Sequence, residues 1–401
     1  MRTIISVFVF MSLSLSALAQ VNDSTRNIEL NAAEKLLSTE GNLTIGGYGE
    51  IHYNQGLDRD FQNNGKLDVH RMVMLFGYRF NDRTQFITEI EYEHVKEVYI
   101  EQAFLQYRIN RYINFRAGLL LVPMGIINEY HEPTTFHGVE RPLVDKYIAP
   151  TTWREIGLGF NGTYLPASLK YQVYLMNGFN SYDGSGVLKG SSGLRKGRQK
   201  GAESFMSSPN LSAKIEYFGI GSLTLGLSGY FGNTQSTLYN GLDKNDETAK
   251  AMADSSVVGM AMIGADARYT TGGLNVKAQY YFTKLSNTEA YNQFTSEAGL
   301  ENNLGSVMTG YYVEAAYDLF HGAIEIESEL LPFMRYETFN THADVAGNLT
   351  RNETFDNQMI TAGLNWKMAR GAVLKADMQF RTNAATDEYT KVFNMGVGVF
   401  F

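Results

Sequence analysis

The chain has 401 residues, with 42 acidic against 34 basic side chains and a formal net charge of −8. An acidic surface repels phosphate backbones, which excludes nucleic acid as a partner. With no cysteine, disulfides, a lipid-modified Cys anchor, thiol catalysis and Cys-type zinc sites are excluded as well. Tyr (25), Phe (24) and Gly (39) are abundant and Pro (7) is scarce, a composition that suits many strands joined by tight turns.

The first stretch, "MRTIISVFVFMSLSLSALAQ", carries Arg2, an apolar run and the A-x-A site Ala17-Leu18-Ala19. It is predicted to be a cleaved signal peptide, residues 1–19, because the apolar run is too short to span a bilayer. Residues 20–41 are polar, with a brief helical patch from Leu30 to Leu37, and are predicted to form a short periplasmic N-terminal segment.

From residue 42 to 401 the chain alternates apolar and polar residues with a period of two. Strands are predicted at 42–55, 66–81, 83–93, 97–110, 113–122, 154–164, 168–179, 209–219, 222–232, 258–270, 273–284, 307–319, 322–337, 354–368, 371–381 and 388–401. In "VLKADMQFR", for example, Leu374, Ala376, Met378 and Phe380 oppose Lys375, Asp377, Gln379 and Arg381. About sixteen such strands in one soluble core would exceed what sheets usually hold. Tight turns alternate with long polar stretches, and aromatic residues near strand ends, as at Tyr48, Tyr53, Phe80, Tyr92, Tyr107 and Phe160, fit interfacial girdles, with Trp153 and Trp366 expected as interfacial anchors. The expected fold is all-β: a transmembrane antiparallel up-and-down β-barrel of about sixteen strands, with short periplasmic turns and long extracellular loops. Its place is the outer membrane of a Gram-negative bacterium, among lipid and lipopolysaccharide.

The last strand, "KVFNMGVGVFF", turns Phe393, Met395, Val397, Val399 and Phe401 to one face, which is expected to touch lipid. A terminal strand ending in an aromatic resembles the signal read by the barrel-assembly machinery, which would assign that role to Phe393, Val397, Val399 and Phe401.

Residues 97–162 carry the most specific pattern: "YIEQAFLQYRI", then "FRAGLLLVPMG" with Gly118, Pro123 and Gly125, then Glu140 to Pro142, then "WREIGLGFNG" with Arg154 and Gly157. This resembles the phosphate-selective porin O/P family of outer-membrane porins. The resemblance implies a water-filled channel and a possible homotrimer, and it raises phosphate as a solute. Two features depart from a phosphate channel's ladder of arginines and lysines. The inward charges expected here are mixed: Arg71, Arg79, Lys277, Lys375 and Arg381 beside acidic rows at Glu89 and Glu91 and at Glu325, Glu327 and Glu329. Leu119 and Leu120 also stand where the family often has polar residues.

The longest connection, 123–153, is the expected constriction, since long structureless loops are usually functional or disordered. It brings Glu129, His131, Glu132, His137, Glu140, Arg141, Asp145 and Lys146, with Arg154 just beyond. "HEPTTFH" is not the H-E-x-x-H zinc motif, and Pro133 would break a helix aligning its histidines, so no metal, cofactor or catalytic residue is assigned. The stretch 180–208 is Gly/Ser-rich with a basic cluster and reads as a mobile external loop. The expected function is passive diffusion of small hydrophilic solutes or ions. The alternatives are a phosphate- or anion-selective channel, and a loop-based adhesin or receptor with a blocked lumen.

Overall fold

A computed structural model describes residues 29–297 and 299–401. The predicted signal peptide, and residues 20–28 after it, lie outside the described residues. Sixteen strands form one closed barrel: β1 (Leu43–Leu57), β2 (Lys66–Arg79), β3 (Thr84–Glu93), β4 (Glu97–Arg108), β5 (Asn114–Leu121), β6 (Arg154–Tyr164), β7 (Leu169–Met176), β8 (Asn210–Ile220), β9 (Leu223–Asn233), β10 (Gly259–Thr271), β11 (Leu274–Ser286), β12 (Val307–Tyr317), β13 (Glu329–Asp344), β14 (Asp356–Ala369), β15 (Ala372–Asn383) and β16 (Thr386–Phe400).

Each strand pairs antiparallel with its sequence neighbours, and β1 closes on β16, with Tyr48 opposite Phe400 and Leu57 opposite Lys391. Phe401 extends the seam, exchanging backbone hydrogen bonds of 2.9 Å with Gly47 in both directions. Closure leaves no open edge, as a strand-built membrane span requires.

Period-two alternation sets which residues face which way. On β15, Lys375 and Asp377 are buried toward the lumen while Leu374 is exposed outward. On β16, Met395, Val397 and Phe401 are exposed on the lipid side and Asn394 is buried inward. The inward Gly398 has a packing reason: a Cβ there would sit 2.6 Å from Pro133 of the 122–153 connection.

Two regions depart from the sequence reading. The strand expected at 322–337 runs instead from Glu329 to Asp344. The Asp318 carboxylate accepts from the backbone of Phe320 (3.0 Å) and Leu330 (3.1 Å), so the chain leaves the ladder at Asp318 and rejoins it at Leu330. Glu325 and Glu327 therefore lie in an exposed turn outside the barrel wall, not in a lumen-facing row. Glu329 stays at the strand start, 2.9 Å from Lys367 Nζ. The stretch 180–208 is not a free external loop: Leu188 and Leu194 are fully buried in the core.

At the short-turn end, helix α1 (Ala32–Ser38) enters the barrel mouth. Asn31 and Glu34 close a capping box at its start. Its apolar side, Ala32, Ala33 and Leu36, is buried, and Glu34 pairs with Lys170 Nζ of β7 at 2.8 Å. At its C-terminal end the carbonyl of Thr39 accepts from Arg79 at 3.0 Å, placing a cation where unpaired helix carbonyls concentrate negative charge.

Candidate functional site

The connection from Val122 to Trp153 runs into the lumen rather than outward, and most of it is buried. Gly125 makes the entry turn: its φ of 71° suits glycine, and a Cβ there would fall 1.7 Å from the Tyr281 hydroxyl of β11. With Pro123 it belongs to the segment that carried the sequence resemblance.

Inside, the loop is bonded to strands on every side. Toward β1, β2 and β4, His131 Nε2 lies 2.9 Å from the Tyr48 hydroxyl and 3.3 Å from Glu101, and the His131 carbonyl accepts from Arg71. Toward β7 and β8, Glu129 accepts from Gln172 and, at 2.5 Å, from Lys214. Toward β11 and β12, Lys277 Nζ donates to the Thr135 carbonyl at 2.5 Å, and His137 Nδ1 sits 2.7 Å from Glu314. Toward β13 and β15, Glu337 accepts from the Leu143 N–H (2.5 Å), and Lys375 Nζ donates to the carbonyls of Phe136 (2.8 Å) and Gly138 (3.0 Å). Glu132 reaches down to α1, accepting from the Ala32 N–H at 2.6 Å.

The wall supplies charges the loop needs. A loop folded into a lumen carries backbone groups that strands cannot pair, and the inward lysines and carboxylates satisfy them. Lys277 and Lys375, expected to line open water, instead hold loop carbonyls. Arg71 is fully buried, with Nε 2.6 Å from Glu50 and Nη1 3.9 Å from Glu91. Glu89 accepts from Gln102 at 2.9 Å, and Arg381 donates to Asn357 at 2.8 Å.

Of the residues expected at a constriction, Glu129, His131, Glu132, His137, Asp145 and Arg154 are buried in this packing. Glu140, Arg141 and Lys146 border space. They line a hollow of about 340 Å³ on the long-loop side, together with Arg195, Glu50 and His52. A second hollow of about 330 Å³ opens on the short-turn side, edged by Arg108, Arg111, Arg116 and Lys170 with Glu34. Cations outnumber carboxylates in both.

Sequence reading missed Glu50, Arg116, Lys214, Glu314, Arg335 and Glu337, and it placed Asp377 on the polar face of its strand without counting it among the inward charges. Inward parity on strands already located marks each of them. Two aromatics were misplaced. Trp153, expected as an interfacial anchor, is fully buried and stacks on Phe179 at 4.3 Å. Tyr48, expected in a girdle, points inward, whereas Phe80, Tyr92, Tyr107 and Phe160 are exposed on the outside.

Loop electrostatics follow from burial. Burial opposes ionisation of Glu140, but hydrogen bonds from His52 and Asn54 win and hold its carboxyl at about 2. Burial pushes the His137 imidazole below its ordinary value despite Glu314. Burial, with Glu337 adding repulsion, lifts Asp145 to about 8 even though the Tyr281 hydroxyl donates to it at 2.6 Å. The folded chain then keeps a proton that the unfolded chain releases near pH 4, so stability falls as pH rises from there to about 8. The slope is at most about 1.4 kcal/mol per pH unit. Asp145→Asn should flatten the pH dependence of the urea midpoint across this window. An unchanged slope would show that another group governs it.

A closed sixteen-strand barrel with one of its own loops bonded across the lumen defines the class: an outer-membrane channel. The model of the family described as phosphate-selective porin O and P matches residues 45–394, and the chain belongs to that family. An uncharacterized protein of Aquifex aeolicus (strain VF5) is 30% identical over 358 residues, 86% of this chain and 77% of the relative. Among solved structures the chain is similar to Salmonella typhi OmpF in complex with daunomycin (TM-score 0.57, 12% identity, 90% of this chain and 98% of the other). It is similar to an anion-selective porin from Comamonas acidovorans (0.56, 12%, 90% and 100%). A third is OmpT of Vibrio cholerae in its trimer form (0.51, 13%, 90% and 100%). At these identities the likeness speaks to the fold.

Proposed function

We propose that this chain gives passive diffusion to small hydrophilic solutes, with a preference for anions, through a lumen narrowed by residues 122–153. The observation that carries this is the bonding of that loop to strands around the barrel, with a cation-rich hollow on each side of it. Arg and Lys lining favours anions, because its positive charge attracts them and repels cations. Arg141, Lys146 and Arg195 meet the solute first, and Arg108, Arg116 and Lys170 meet it on the far side. No chemistry or energy input is needed, only binding weak enough to release the solute.

The test is single-channel recording in a planar bilayer under a KCl gradient. Discrete open steps are expected, with a reversal potential of the sign set by chloride. A cation-signed potential would overturn the selectivity. Folded protein that gives no steps would overturn the channel itself.

A further inference from the structure

We propose that Asp68, His70 and His94 form a binding site for a borderline divalent cation such as Zn²⁺ at the long-loop rim of the barrel. The site does not depend on the channel reading. Asp68 and His70 stand two apart on β2 and so share a face. A register shift against β1, where Glu50 pairs with Arg71 and Ile51 with Val69, leaves His70 as the extra residue of a bulge. Both His70 and Arg71 can therefore serve the interior.

His94 comes from a different element, the three-residue turn between β3 and β4. His94 (φ 53°) and Val95 (φ 64°) are both in the left-handed region, which is unfavourable above all for a β-branched residue. The His94 N–H donates to the His70 carbonyl at 3.2 Å, fixing the turn against β2.

The result is a convergence of ligand atoms. One ring nitrogen from each histidine and one Asp68 oxygen lie within 4.8 Å of one another. His94 Nδ1 is 2.7 Å and His70 Nδ1 3.6 Å from the same Asp68 oxygen. Apart from this ion-pair contact, His94 Nδ1 is a buried atom with no hydrogen-bond partner.

The surroundings hold the set in place. His70 stacks on His52 at 4.6 Å with the rings 11° from parallel. His52 is no competing ligand, because its two nitrogens face Glu50 (3.3 Å) and Glu140 (3.2 Å). Glu93 lies 3.8 Å from the other His94 nitrogen and adds negative charge. Lys66 Nζ, 3.5 Å from Asp68, is the cation paired with the carboxylate of the set, and its side chain is 68% exposed and free to swing out; Arg141 shares the hollow that His70 lines. Two imidazoles and a carboxylate suit Zn²⁺, Cu²⁺ or Ni²⁺ rather than Ca²⁺ or Mg²⁺, which take oxygen sets.

The experiment titrates untagged, folded full-length protein in detergent with ZnCl₂ against a chromophoric chelator at neutral pH. One Zn²⁺ per chain is expected. His94→Asn keeps a residue that tolerates the left-handed turn but removes the imidazole, and Asp68→Asn removes the carboxylate. Each should weaken binding by about tenfold or more, since losing a ligand costs at least as much as losing a partner that only orients one. His321→Ala, in the exposed 318–328 turn, should leave it unchanged. Heat-modifiable gel migration verifies the folding of each variant. No Zn²⁺ bound by the wild type, or folded Asp68 and His94 variants that bind it equally well, would overturn the site.

Discussion

Replacing residues 126–150 by a short Gly-Ser linker should raise single-channel conductance severalfold and weaken ion selectivity. The barrel is expected to survive, because the backbone ladder of every strand is completed on both sides by other strands, and the loop bonds only strand side chains. The wall charges that now hold the loop, such as Lys214, Lys277, Lys375, Glu314 and Glu337, would be flooded by water rather than stranded in a dry interior. Rehydration removes the desolvation cost that makes unpaired buried charge so destabilising. Bilayer recording compares the two proteins directly. Equal conductance would mean that the ion path avoids the loop, and would sink the constriction.

Arg71→Ala acts in the opposite sense, on stability rather than flux. Arg71 is 1% exposed, sits between Glu50, Glu91 and Glu101, and lies over the Tyr48 ring at 4.9 Å. It also donates to the His131 carbonyl. Removing it leaves several buried carboxylates facing one another, a change of about 3–5 kcal/mol when a buried partner is lost. Arg71→Lys should recover only part of this, since an ammonium cannot serve a carboxylate and a carbonyl in one planar fork. Urea unfolding in detergent measures both. A loss under about 1 kcal/mol, the scale of an exposed pair, would show that water already screens this cluster.

The wall was more legible than its contents. Fifteen of the sixteen strand ranges needed only shifts at their ends, because alternation repeats the same signal at every step. The failure at 322–337 is instructive. "AIEIESEL" alternates like a strand, but strand length is set by where partners lie, and Asp318 closes the ladder before those residues arrive. Loop 123–153 could be singled out by length alone. Its partners could not, because Tyr48, Lys214, Glu314 and Asp377 become neighbours only through a register passed around sixteen strands. Trp153 misled for a related reason. An aromatic near a strand end suits a membrane interface, but also a loop that turns back into the barrel. His70 was hidden by the bulge, which defeats parity, and the cluster it forms with His94 crosses two strand pairs.

A further consequence lies at the line where the first and last strands meet. Asn54 of β1 donates to Asn394 of β16 (2.8 Å), Asn394 donates to Asp377 of β15 (2.7 Å), and Asp377 accepts from the Val139 N–H (2.7 Å). Asn54 also donates to Glu140 at 2.9 Å. The inner loop thus clasps both banks of the closure like a staple driven from within. The wall cannot part there to admit lipid or release a solute sideways without first uprooting its own interior, so traffic is confined to the barrel axis.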